Sequence, residues 1–134
     1  MKFDKRNVRW KVDTKAKTVT GTYAFDCEAL NDEMNCLFRK AFANQKDFIA
    51  SDAYFVKSGV ILTATARCHP DDEFNVQKGM DIVKYRLIKQ FYREKKKAFE
   101  AFREALVDTA GRVTEALDCL ESGNLVVSDI LDNM

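Results

Sequence analysis

Catalysis by a nucleophile and a base would have to use His69, because it is the only histidine in this 134-residue chain. His69 directly follows Cys68. A nucleophile and its base must lie within hydrogen-bonding reach, whereas successive side chains of a strand point to opposite faces. The two residues therefore cannot act together in a strand. We predict no catalytic residue and expect that the protein is not an enzyme.

Metal binding is not favoured by the residue spacing either. The four cysteines (Cys27, Cys36, Cys68 and Cys119) form no C-x-x-C pair, whereas structural zinc sites favour short paired spacings. The acids at residues 71–73 could hold a divalent cation. Consecutive acids after a proline are more typical of the first turn of a helix, where they complement its dipole. We predict no metal site, no cofactor and four reduced thiols.

A basic stretch at residues 84–97 has the composition of a binding surface. It holds seven lysines and arginines against one acid, and Tyr85, Phe91 and Tyr92 lie between them. Basic side chains neutralise phosphates, and aromatic faces stack on bases. These residues leave three interpretations open: a solvated helix face, a site for a small nucleotide, or a site for a nucleic-acid strand.

The most distinctive stretch covers residues 66–86. An apolar strand ends there, the only proline makes a corner, and a glycine follows within the first turns of the next helix. Glycine inside a helix costs about 1 kcal/mol relative to alanine, so Gly79 indicates close approach by a chain segment or a ligand. The characteristic residues of this stretch follow the pattern Cys68-x-Pro70-x-Asp72-x-Phe74-x4-Gly79-x2-Ile82-x3-Arg86.

This pattern, after an apolar strand and before a long charged helix, resembles short phage and prophage proteins, among them the phage anti-Thoeris sponge proteins. The resemblance covers these residues and the general architecture, with Val83 standing where alanine is expected. Sponge proteins bind cyclic ADP-ribose-type immune signals, and some take up cyclic oligonucleotides, in pockets between subunits and without cleavage. The resemblance therefore implies a phage protein of the host cytoplasm that sequesters a small cyclic signalling nucleotide.

The resemblance also implies a ligand-binding role for four residues. Phe74 would stack on an adenine, Arg67 and Arg86 would hold a pyrophosphate, and Asn75 would recognise a ring edge or a ribose hydroxyl. The acids of residues 71–73 would repel phosphate at the helix start, so phosphate is expected along the helix flank. Two other functions stay open: a protein-directed inhibitor of a host defence enzyme, similar to anti-CRISPR proteins, and a nucleic-acid-binding accessory protein.

The formal net charge of +1 hides a polarised sequence. Residues 1–20 carry seven basic and two acidic side chains, whereas residues 105–134 carry one basic and six acidic side chains. Such polarity is compatible with anion binding at one end, with head-to-tail association, or with two differently solvated surfaces. No apolar window approaches the length of about eighteen residues that marks a membrane span, and the first residues lack an apolar signal segment. We expect no membrane segment.

Two hairpins and one helix are predicted in the first half of the chain. Apolar and polar residues alternate in two strands, which we place at residues 8–13 and 18–25 on either side of a short turn. Helical periodicity then covers residues 26–44. A second hairpin is predicted from short strands at residues 53–56 and 60–68.

The sequence after Pro70 is predicted to be helical. Apolar residues recur there at spacings of three or four; they are Met80, Val83, Leu87, Phe91, Ala98, Phe102 and Leu106. Gly111 permits a break, the periodicity continues to a stop signal at residues 122–124, and the tail beyond them is predicted to be either a short strand or a docking segment. A helix of about thirty residues would span roughly 45 Å, more than the width of such a domain. We therefore expect a homo-oligomer held together by the long helices.

These elements predict one α+β domain over residues 1–134. A small antiparallel sheet of two hairpins, in the order ββαββα, is combined with a connecting helix and long C-terminal helices. Within this domain, residues 1–68 form the sheet and first helix, residues 70–122 the long helical region, and residues 123–134 the tail.

Overall fold

Three strands and two α-helices make up the described part of the chain. The computed structural model describes residues 1–41 and 59–134. After a 3₁₀ helix at Lys5–Asn7, the elements are β1 (Val8–Asp13), β2 (Thr18–Ala24), α1 (Cys27–Ala41), β3 (Ile61–Arg67) and α2 (Val76–Asp132). The fold is α+β, with a small antiparallel sheet and a long C-terminal helix.

The sheet has the order β1–β2–β3, and both neighbouring pairs are antiparallel. The first predicted hairpin is confirmed, because Val8 pairs with Tyr23 and Asp13 pairs with Thr18. The third strand pairs with β2 over its whole length. Its predicted hairpin partner, residues 53–56, lies outside the described residues. In the described residues the order is therefore ββαβα, and the predicted ββαββα is not what the structure shows.

The first helix begins at a side-chain cap. The backbone amide of Ala29 donates to the Asp26 carboxylate at 2.9 Å, which satisfies one of the amides that the first turn leaves without a helical acceptor. Leu30, Met34 and Phe38 then recur at a spacing of four and are buried. The predicted amphipathic helix is thereby confirmed up to Ala41, and residues 42–44 lie outside the described residues.

The last helix runs without interruption from Val76 to Asp132, which corrects three predictions. Gly111 does not break it, residues 122–124 do not end it, and the tail continues the helix instead of forming a strand. A Cβ atom at Gly111 or Gly123 would meet nothing within 4 Å, so neither glycine is required by packing or by backbone conformation. None of the described helices combines the length and apolar character that a membrane crossing requires.

The described chain divides into two compact units, Met1–Phe99 and Glu100–Met134. In the first unit one face of the sheet is buried, and its members are Val8, Val19, Tyr23, Leu62, Ala64 and Ala66. Four residues of the apolar stripe predicted for α2 are buried as well: Val83, Leu87, Phe91 and Ala98. In the second unit every residue from Val107 onward is exposed.

Phe91 lies at the centre of an aromatic cluster in the first unit. Its ring is fully buried, and its centroid lies 5.3 Å from that of Phe25, 5.7 Å from that of Phe3 and 5.9 Å from that of Tyr23. Phe3 in turn stacks on Tyr23 with centroids 4.7 Å apart. Edge-to-face and stacked pairs add to the free energy that burial supplies. The cluster therefore joins the N-terminal segment, the end of β2 and the middle of α2.

Two glycines allow α2 to approach the sheet closely. A Cβ atom added to Gly21 of β2 would lie 2.6 Å from Val83 Cγ1, and one added to Gly79 would lie 2.7 Å from Val19 Cγ2. Real Cβ atoms do not approach other carbons so closely. The close approach predicted at Gly79 is confirmed, and the approaching group is a side chain of β2.

Glu33 of α1 holds two positive groups. Its carboxylate lies 2.8 Å from the Met1 amino group and 3.1 Å from Lys95 Nζ. Lys95 Nζ also donates to the Met1 carbonyl at 2.9 Å. Burial by itself would raise the pKa of Glu33, but the hydrogen bonds from Met1 and Lys95 outweigh it and lower that pKa overall. The ionised carboxylate therefore stabilises the fold.

We expect Glu33→Gln to destabilise the protein by about 1 kcal/mol at neutral pH, because it removes a partly buried charged partner of two cations. The contribution is present above the unfolded pKa of about 4.3 and is lost as pH falls through the lowered folded pKa. Urea unfolding at several pH values should show the two proteins converging in acid. Asp32→Asn, the same change at an exposed neighbouring position, is the control. If the free energies of unfolding of Glu33→Gln and of the unaltered chain differed by the same amount at every pH, the prediction would be contradicted.

Candidate functional site

A cavity of about 360 Å³ lies where β3 passes into α2. Its lining comes from the end of the strand, the corner and the first turns of the helix: Ala66, Arg67, Cys68, His69, Asp72, Glu73, Phe74, Asn75, Lys78, Gly79 and Ile82. The most distinctive stretch of the sequence therefore forms the wall of one cavity in the described structure.

Lys17 holds the corner in place. Its ammonium donates to the carbonyls of Pro70 at 3.0 Å and of Asp72 at 2.9 Å, and its own carbonyl accepts from the Cys68 amide at 2.9 Å. Lys17 has a φ of 52°, a left-handed conformation that is uncommon outside glycine. The amide of Asp72 closes the turn on the His69 carbonyl at 3.0 Å. The corner is thus fixed by hydrogen bonds to the β1–β2 turn.

Asn75 caps α2, which corrects the predicted role of the acids at residues 71–73. The Asn75 side-chain oxygen accepts from the Lys78 amide at 3.0 Å, and its carbonyl accepts from the Gly79 amide at 3.1 Å. The helix begins at Val76, and no acid lies in its first turn. The acidic run precedes the helix in the corner, and two of its members, Asp72 and Glu73, line the cavity.

Three of the four predicted ligand-binding residues lie together in the cavity wall. Phe74 is half-buried there, Arg67 is exposed at the end of β3, and Asn75 stands at the helix start. Arg86 is not part of this lining, and its guanidinium donates to the Thr65 carbonyl of β3. The structure thus gathers Arg67, Phe74 and Asn75 and separates Arg86 from them.

Lys78 and Lys17 are site residues that sequence reasoning missed. Lys78 lines the cavity from the first turn of α2, and Lys17 acts through the backbone of the corner. Lys78 could have been found because it lies within the distinctive stretch of residues 66–86. Nothing in the local sequence of Lys17 points to the corner, which lies about fifty residues further along the chain.

Charges of both signs meet in the cavity wall. Arg67 and Lys78 supply cations, while Asp72 and Glu73 supply carboxylates. His69 lies beside Asp71, with Nδ1 3.6 Å from the carboxylate, and it accepts from the Asp71 amide at 3.3 Å. Cations bind phosphate groups, and carboxylates accept hydrogen bonds from hydroxyl and amino groups. The wall therefore offers partners to a ligand that carries both kinds of group.

Cys68 and His69 are not arranged as nucleophile and base. The Cys68 thiol lies 3.7 Å from the Asp72 carbonyl and 3.6 Å from that of Glu73, so it donates to the backbone of the corner. His69 contacts Asp71 on the other side of the turn. Within residues 1–41 and 59–134, no three His, Cys, Asp or Glu side chains converge as ligands of a metal ion.

A larger depression of about 840 Å³ lies near the start of the chain, but its chemistry is less suited to a specific ligand. Its lining includes the cations Lys2, Arg6 and Arg9, of which Arg6 is paired with Asp4 at 2.9 Å. The aromatic residues of its lining, Tyr23 and Phe25, are buried in the core cluster. The depression thus offers no accessible aromatic ring on which a base could stack, and the smaller cavity is the better candidate.

The basic stretch at residues 84–97 is divided between internal contacts and solvent. Lys95 holds Glu33 and Met1, and Lys97 lies 3.4 Å from Glu94. Tyr85 and Tyr92 are 66% and 56% exposed, and the Lys84 ammonium lies 4.8 Å from the centre of the Tyr85 ring. Part of the stretch therefore stabilises the fold, and part of it is an exposed surface with aromatic residues.

Comparisons with protein-family models, with curated proteins and with solved structures find no match to this chain. A function for the cavity has therefore to be inferred from its own residues.

Proposed function

We propose that the protein binds a small phosphorylated nucleotide in the cavity beside Phe74 and holds it without cleaving it. In a phage this activity would sequester a signalling nucleotide of the host. The observation that carries the proposal is that an aromatic ring, two cations and two carboxylates line one cavity of about 360 Å³. A nucleotide has a flat base, an anionic phosphate and a sugar with hydroxyl groups, and each finds a partner there.

The proposed contacts follow from the chemistry of each side chain. The half-buried ring of Phe74 stacks on the base, which is worth about 1–3 kcal/mol per base in other proteins. Arg67 and Lys78 bind phosphate, Arg67 through two parallel hydrogen bonds. Asp72 and Glu73 accept from sugar hydroxyls or from an amino group of the base. The lining thus supplies binding groups, while the side chains of Cys68 and His69 form hydrogen bonds with the backbone of the corner.

The cavity size sets the scale of the ligand. Sites for small molecules usually measure about 300–1,000 Å³, so this cavity falls near the lower end. It accommodates one nucleotide-sized group. A cyclic dinucleotide or a cyclic ADP-ribose would place one base and its phosphate here and leave the rest outside.

Calorimetry against AMP, cyclic dinucleotides and cyclic ADP-ribose isomers tests the proposal. We expect at least one of them to bind, and we expect Phe74→Ala and Arg67→Ala each to weaken binding about tenfold or more. Tyr85→Ala and Arg9→Ala are the matched controls, because they remove an exposed ring and an exposed strand arginine outside the cavity. Both controls should keep the affinity of the unaltered chain.

Two outcomes would contradict the proposal. In one, no nucleotide binds, and none is released when protein purified from bacterial cells is heated. In the other, Phe74→Ala binds as tightly as the unaltered chain. Retention of a host protein in a pull-down, without any bound nucleotide, would favour the protein-directed inhibitor instead.

A second candidate function is nucleic-acid binding, which the exposed rings of Tyr85 and Tyr92 favour. The two tyrosines lie seven residues apart in α2, and lysines and arginines surround them. Such a surface would bind single strands by stacking and by phosphate contacts, with affinity that falls steeply as salt rises. Loss of oligonucleotide binding in Tyr85→Ala and Tyr92→Ala, but not in Phe74→Ala, would distinguish it from the nucleotide site.

A further inference from the structure

The second unit carries an apolar stripe along its whole length. From Leu106 to Met134 the stripe residues alternate at spacings of four and three: Leu106, Ala110, Val113, Leu117, Leu120, Asn124, Val127, Leu131 and Met134. Apart from Asn124, every member is apolar. The large side chains between Val113 and Leu131 are 54–71% exposed, so the described chain leaves most of their surface in contact with water.

This spacing is the heptad repeat of a left-handed coiled coil. In heptad notation Ala110, Leu117, Asn124 and Leu131 occupy a positions. The d positions are those of Leu106, Val113, Leu120, Val127 and Met134. A seven-residue repeat sustained over four heptads keeps one seam facing a partner helix and indicates a coiled coil rather than an ordinary surface helix.

The tail has little reason to be helical on its own. It contains Gly111 and Gly123, each costing about 1 kcal/mol relative to alanine, together with several valines and threonines of modest helix propensity. Most helical stability in proteins comes from packing an apolar face against another surface. A partner helix on the seam would supply that packing.

The charges of the tail are placed outside the seam. Five of its six acids and its single arginine lie at b, c and f positions, which point away from a partner: Asp108, Arg112, Glu115, Asp118, Asp129 and Asp132. Glu121 is the only charged residue at an e or g position between residues 109 and 130. In a parallel pair its neighbour is Ala116 of the second copy, so no like charges face each other.

We propose that residues 106–134 form a parallel, in-register, two-stranded coiled coil with a second copy of this chain. In that register Asn124 faces its counterpart, and the two amides can hydrogen-bond to each other within the seam. A single asparagine at an a position is known to select two strands and one register at some cost in stability. In a shifted parallel register or an antiparallel pair of this chain, Asn124 would face an apolar side chain. This inference is independent of the nucleotide site.

Sedimentation or light scattering of the full chain tests the assembly. We expect a mass of two chains of 15.4 kDa each, and Leu120→Glu should weaken association about 100-fold or more because it buries two carboxylates in the seam. Leu125→Glu is the matched control: it makes the same change at an exposed b position, and the dimer should persist. A monomer at every concentration, a mass of three or four chains, or equal loss in both variants would overturn the proposal.

Cross-linking tests the orientation. In a variant with Cys36, Cys68 and Cys119 changed to serine, Asn124→Cys should form an intermolecular disulfide on mild oxidation. Facing a positions of parallel helices bring the two Cα atoms within the span of a disulfide, about 4.4–6.8 Å. Leu125→Cys in the same background should stay unlinked. Equal cross-linking of both, or of neither, would overturn the parallel register.

Discussion

Phe91→Ala should destabilise the protein by about 3–5 kcal/mol, the usual range for deleting a buried aromatic side chain. Phe91 is fully buried and makes ring contacts with Phe3, Tyr23 and Phe25, so its loss leaves a cavity bounded by three elements. Urea unfolding followed by the fluorescence of Trp10, the only tryptophan, measures the effect. All proteins should be compared at one concentration, because self-association would shift apparent stability.

Tyr85→Ala is the control for Phe91→Ala. It removes an aromatic ring from the same helix, but that ring is 66% exposed, so the free energy of unfolding should change by less than about 1 kcal/mol. A similar loss in the two variants would show that the aromatic cluster is not the centre of the core.

Gly21→Ala is expected to have the second largest effect, with a loss of about 1–3 kcal/mol from overpacking. The new Cβ would lie 2.6 Å from Val83 Cγ1 and 3.1 Å from Leu87 Cδ1. Val83 cannot turn aside easily, because a β-branched side chain has one strongly preferred rotamer in a helix. The sheet and α2 would therefore have to separate, and unfolding by urea should show the loss directly.

The double variant Gly21→Ala/Val83→Ala tests the cause. Removing the Val83 methyl groups makes room for the methyl group added at position 21. The loss in free energy of unfolding should therefore be smaller in the double variant than the two single losses added together, by about 1 kcal/mol or more. Gly111→Ala serves as the control, since a Cβ there meets nothing and should stabilise the helix slightly. Strict additivity of Gly21→Ala and Val83→Ala would rule out the close contact as the reason.

The strands and the buried helix faces were predictable because their patterns are local. Alternating residues in Val8–Asp13 indicate a strand with one buried face. A spacing of four between Leu30, Met34 and Phe38 indicates a helix with one buried face. The same logic located the corner at Pro70 and the close approach at Gly79. Which strands pair is a matter of long-range contacts, and residues 53–56 lie outside the described part.

Two site features could not be predicted because they depend on distant backbone. The acids after Pro70 have the composition of a helix cap, but Lys17 binds the Pro70 and Asp72 carbonyls and keeps this segment in the corner. The helix then begins later, at Asn75. The resemblance placed Arg86 with the ligand, whereas its guanidinium donates to the Thr65 carbonyl of β3.

The end of the last helix was predicted too early because the stop signals at residues 122–124 are weak. Residues 122–124 combine serine, glycine and asparagine, and the apolar residues 125–127 have β propensity. Glycine and asparagine end a helix only where the backbone turns into the left-handed region, and Gly123 does not adopt it. The heptad spacing that crosses these residues is a longer-range pattern, and it agrees with the helix observed.

The contacts of Arg86 and Gln90 have a consequence for solubility. Their side chains donate to the Thr65 and Thr63 carbonyls of β3, the strand at one end of the sheet formed by residues 1–41 and 59–134. An uncovered outer strand is a template on which further chains can add and grow into fibrils. Because Arg86 and Gln90 occupy two carbonyls of β3, they oppose strand addition there, and we expect the double variant Arg86→Ala/Gln90→Ala to aggregate more readily than the unaltered chain.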